Sequence, residues 1–178
     1  MTAAGMGLLV VLDVVAPEGP AASVASGAVG LLAIARAVHW GAKHSARTPL
    51  LWILHAGYAW VPVGLLLRAA AGFVPAVPRS LATHALTVGA IGCLTLGMMA
   101  RVALGHTGRP MLASKPMAWA FAAMALAAAA RVLVPLVAPI LYFPSLIVTG
   151  TLWSAAFIAY LIVYVPVLSG PRVDGEAG

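Results

Sequence analysis

Runs of about twenty mostly apolar residues recur from one end of the chain to the other, a length that crosses a bilayer as an α-helix. Short turns carrying Pro, Gly and single cations separate them. In hydrocarbon every backbone polar group must be satisfied within its own segment, so a chain built this way can only stack helices. Its composition agrees. Of 178 residues, 63% are hydrophobic and 8% charged, with a mean hydropathy of +1.05. A soluble domain carries about 25% charged residues. The predicted fold class is therefore all-α: a polytopic transmembrane bundle of about six helices, the first one short. It forms a single domain over 1–170, followed by a polar tail at 171–178 that is expected to be loosely ordered.

The breaks place helices over 3–16, 21–40, 50–71, 81–104, 116–138 and 144–168. The first stops at the turn Pro17-Glu18-Gly19-Pro20. Its length gives a rise of only about 21 Å, too short to cross alone. Short loops predict that consecutive helices pack as antiparallel neighbours. In the fourth helix Ala85, Gly89, Cys93 and Gly97 recur at every fourth position, a small-residue stripe that admits another helix to backbone contact. A different face carries His84, Thr87, Ile91, Thr95 and Met98.

The net charge of +6 comes from single cations in loops and at helix ends, with no basic run interleaved with aromatics, so a nucleic-acid partner is excluded. Membrane topology accounts for the charge better. Arg36, Lys43, Arg47, Arg101, Arg109, Lys115 and Arg172 fall on one side, and Arg68, Arg79 and Arg131 on the other. The richer side is expected to be cytoplasmic and to hold the C-terminus.

The lone Cys93 rules out an intramolecular disulfide and any CxxC centre. No paired carboxylates, nucleophile elbow, phosphate loop or HExxH stretch occurs, so no residue set specifies a reaction. Imidazole is the donor that remains, and it suits heme iron and copper. His39 and His44 read as interfacial anchors beside Trp40 and the basic loop. His55 shares a helix face with Tyr58 and Pro62, either as a ligand or as a hydrogen-bonding core residue. His84 opens the fourth helix, as an interfacial residue or a ligand. His106 follows that helix in the turn LGHTGRP, where Thr107 and Arg109 suit either an anionic group or a simple helix cap. His84 and His106 are 22 positions apart, or about 33 Å along a continuous helix, so they cannot share a metal. Arg131 lies deep in the fifth helix and needs a partner, and Met98 and Met99 read as packing residues.

The segments PLLWILHAGYAWVPVGL, HALTVGAIG, MMARVALGHTGRP and YVPVLSGPRVDG together resemble the C-terminal half of NnrS proteins, from about Pro49 to Gly175. These are polytopic bacterial inner-membrane proteins of the nitric oxide response, described as binding heme and copper. The resemblance implies a heme cofactor, with copper as a second candidate. Residue by residue it carries over His55 with Tyr58, then His84, and then Arg101, His106 and Arg109. Family members are longer and hold an HExM-like motif that is absent here. The resemblance therefore implies either a second copy of this chain or a missing N-terminal half as partner within the bilayer. A transporter-like half that dimerises and a non-catalytic membrane assembly subunit are the rival readings.

Overall fold

The computed structural model describes residues 2–16, 19–41 and 45–175. Pro17 and Glu18 of the first turn, and Lys43 and His44 of the basic loop, lie outside them. Six helices follow in order: α1 Thr2–Val15, α2 Pro20–Ala37, α3 Pro49–Ala71, α4 Arg79–His106, α5 Lys115–Val137 and α6 Tyr142–Ser169. Short 3₁₀ turns at Val38–Trp40 and Pro139–Leu141 extend α2 and introduce α6. No strand occurs among the described residues. With the Val38–Trp40 turn counted as the end of α2, each helix begins and ends within two residues of the boundary predicted from sequence.

The boundaries have local causes. Pro20, Pro49 and Pro116 stand in the first turn of α2, α3 and α5, where a missing N–H costs nothing and a fixed φ favours the helix. Gly41 closes the α2 extension at φ 64°, a left-handed conformation that glycine adopts freely. Five helices, α2 to α6, are long and apolar enough to cross a bilayer. The chain is a multi-pass membrane protein, and many Leu, Ile and Val side chains of these helices are exposed, as a lipid-facing surface requires. The 14-residue α1 is apolar but not among the five.

Consecutive helices pack against one another, as the short loops require. Helices α3 to α6 form the main body around Leu50, Ile53, Cys93, Leu96, Phe121 and Met124. On the outer side of α3 lie α2 and α1, joined by a smaller cluster of Leu9, Val29 and Leu65. Arg68 in the last turn of α3 clamps α1 through a two-pronged ion pair with Asp13; its Nη1 donates to Asp13 Oδ2 at 2.7 Å. The guanidinium holds the Asp13 carboxyl below the usual carboxylate range, chiefly through these hydrogen bonds.

Helix α4 is the spine. Half of its apolar window is buried, against 17% for α6. The predicted stripe is real: Ala85, Gly89, Cys93 and Gly97 are all buried. On α3 it meets Gly57 and the larger side chains of Ile53, Leu54 and Trp60. A Cβ at Gly97 would stand 2.8 Å from Ile53, one at Gly57 would stand 3.0 Å from Cys93, and one at Gly89 would overlap the Trp60 ring. Over Ala85–Ile91 the spine widens into a π-helix, a local insertion that often marks a functional position.

Candidate functional site

The turn at the C-terminal end of α4 is a helix cap with a specific form. Gly108 adopts φ 68°, the Arg109 N–H donates to the Leu104 carbonyl at 3.0 Å, and the Gly108 N–H donates to Gly105 at 3.4 Å. This is a Schellman closure, which satisfies the otherwise orphaned final carbonyls. The Thr107 hydroxyl adds a bond to the Ala103 carbonyl at 2.7 Å. The cap extends α4 to His106 and fixes where that residue stands.

The polar tail folds back onto this cap. The Val173 N–H donates to the Thr107 carbonyl at 3.2 Å, and Arg172 Nη1 donates to the His106 carbonyl at 3.3 Å. Asp174 pairs with Arg172 and lays its carboxylate where a Gly108 side chain would be. The loosely ordered tail expected from composition is thus docked from Arg172 to Asp174, because Gly108 leaves room for a carboxylate.

A cleft of about 320 Å³ results, lined by Met98, Arg101, Gly105, His106, Met111 and Arg172. It joins one exposed imidazole, two guanidinium groups and two thioethers. Arg109 is not in its lining; it buries its Nη1 with no hydrogen-bond partner among the described residues. An apolar groove over Leu94, Thr95, Met98, Met99 and Val102 continues the cleft along α4.

His55 stands on α3 and is half-buried. Its Nδ1 lies 3.0 Å from the Leu51 carbonyl, which fits a donated N–H and leaves Nε2 as the free nitrogen. Trp40 packs edge-on to the ring at 6.5 Å and against Tyr58 at 4.4 Å, with the Arg36 guanidinium over its indole. Tyr58 donates to the Ala33 carbonyl of α2 at 3.3 Å. The helix face read from sequence therefore meets α2, and the interfacial Trp40 closes over it.

His84, at the other end of α4, has a different neighbour. Arg131 Nη2 of α5 lies 3.0 Å from its Nε2. Arginine only donates, so Nε2 is the acceptor and its lone pair is engaged. Arg131 also lies over the Tyr142 ring at 5.8 Å.

Among the described residues no three of His, Cys, Asp and Glu gather closely enough to hold a metal ion. The structure brings Arg101 to His106 and Tyr58 to His55, and it leaves His84 apart with Arg131. Sequence reasoning missed Arg172 and Met111 at the cleft. Arg172 lies in the tail segment YVPVLSGPRVDG, but nothing in its spacing announces the fold-back.

A protein-family model described as NnrS protein matches residues 1–172 of the chain. The match takes in α1 and α2, which precede the motifs that carried the resemblance. No curated protein and no solved structure matches.

Proposed function

Because the chain belongs to the NnrS family, we propose that it holds a heme at the His106 end of the bundle and serves the nitric oxide response at the bacterial inner membrane. The His106 cleft is the observation that carries this reading, since its donor set suits heme. The imidazole would hold the iron, while Arg101 and Arg172 would hold propionates through charge-assisted hydrogen bonds. Met98 and Met111 would give the macrocycle apolar, polarisable walls. Bound heme iron would supply the chemistry that captures nitric oxide. Arg109, with its unpartnered Nη1, is a further candidate for an anionic group on that side.

His84 falls outside this role because Arg131 engages its Nε2. His55 supports a second reading, copper. A ring nitrogen donating to a backbone carbonyl is the usual support of a metal-bound imidazole, and His55 has it. With no three-ligand group among the described residues, copper at His55 would be completed by a second copy of the chain or by another segment. The cation distribution supports a cytoplasmic C-terminus.

The test is the optical spectrum of protein expressed with heme available and purified in detergent. A Soret band that shifts on anaerobic addition of nitric oxide is expected. Protein that carries neither heme nor metal would overturn the cofactor assignment.

A further inference from the structure

We propose that the cavity between α4, α5 and α6 beside Arg131 binds an anionic oxygen group, a carboxylate or a phosphate. The cavity, open on one side, has a volume of about 310 Å³ and is lined by Val88, Arg131, Leu146, Thr149, Trp153 and Ser154. It lies at the opposite end of α4 from the His106 cleft and shares no residue with it.

Two buried donors in its wall lack partners. Arg131 uses Nη2 on His84, and its Nη1 has no hydrogen bond among the described residues. Thr149 is 5% exposed, and its hydroxyl is also unpartnered. Ser26, Thr87, Thr107 and Ser169 turn back onto the carbonyl four residues earlier, an ordinary recourse of a helical hydroxyl. The buried Thr149 hydroxyl makes no such bond.

The electrostatics select the ligand class. A guanidinium in an apolar segment is costly and calls for a counter-charge. The described acids cannot supply it: Asp13 is held by Arg68 and Asp174 by Arg172. His84 takes one arm of the fork and fixes its plane. The remaining arm, the Thr149 hydroxyl and the Ser154 hydroxyl offer hydrogen bonds to an oxyanion, the geometry at which arginine excels. The π-helical stretch of α4 sets Val88 as the apolar wall opposite.

The anion has two sources, a free small anion or the phosphate of a lipid headgroup. Arg131 lies within two turns of the end of α5 at Val137, close enough to the interface for a lipid to reach. Two measurements separate them. Phospholipid phosphorus retained by detergent-purified protein is compared among wild type, Arg131→Gln and Thr149→Val. Delipidated protein is then titrated with inorganic phosphate and with acetate, following tryptophan emission, with Trp153→Phe as the reporter control.

A lipid occupant predicts retained phosphorus in the wild type that Arg131→Gln loses. A free anion predicts a saturable emission change that Arg131→Gln abolishes and Thr149→Val weakens about tenfold, the worth of one hydrogen bond to a charged group. Thr149→Val keeps the side-chain shape, so it decides the matter if Arg131→Gln fails to fold. Equal phosphorus and equal titrations in wild type and Thr149→Val would overturn the site. The Soret band reports on the other end of α4 and is expected to be unchanged in Thr149→Val, so the two proposals fail separately.

Discussion

Gly108 carries two demands at once. Its left-handed φ closes α4, and its missing side chain seats Asp174. Gly108→Ala is expected to cost about 1–2 kcal/mol from the backbone alone and to release the tail. Thermal unfolding in detergent, with proteolysis of the tail as the second readout, checks both. Unchanged tail protection would contradict the docking. Asp13 gives a pH-dependent counterpart. Its carboxyl is held below the ordinary range by Arg68, so the pair contributes stability that is full above the unfolded value of about 3.9. The contribution is lost as pH falls through the lower folded value. Partial exposure keeps it under about 1 kcal/mol. Asp13→Asn is expected to melt slightly earlier than wild type at neutral pH and together with it in strong acid. A gap that persists in acid would show that the ion pair is not its source.

At the scale of the element, the contact between α3 and α4 depends on missing side chains. Gly57 and Gly64 on α3 face Cys93, Leu94 and Leu86, while Gly89 and Gly97 on α4 face Trp60, Ile53 and Leu54. Gly89→Ala places a methyl group in the Trp60 ring and is expected to cost about 1–3 kcal/mol as overpacking. Trp60→Leu in the same chain should recover part of the loss, and a double-mutant cycle on melting temperature measures the coupling. This interface was readable in the sequence because four-residue periodicity converts directly into a helix face. The helix ends were readable for a similar reason, since Pro and Gly act on their own backbone. The π-helix at Ala85–Ile91 was not, because no residue type encodes it and it answers to packing on both sides of α4. The pairing of His84 with Arg131 was equally hidden. Each residue looked anomalous alone, and only the approach of α5 to the start of α4 joins them.

The whole molecule is a body of four helices with a two-helix flank, and its sixth helix is the least buried of the spans. The bundle and its number of spans could be read from hydropathy alone, because a bilayer leaves few alternatives to stacked helices. The candidate site was legible only in part. His106 and Arg101 lie on one helix, where spacing predicts proximity. Arg172 arrives from a tail 66 positions away, and distance along the chain carries no such information. The molecule thus separates two histidines on one spine: His106 in an open cleft among cations, and His84 bound to a cation beside a second pocket. The most direct test of that division is heme per chain in His106→Ala and His84→Ala, purified alongside wild type under the same heme supply. The division predicts that His106→Ala loses its heme and its Soret band while His84→Ala keeps both. Full heme in His106→Ala, with loss in His84→Ala, would contradict it.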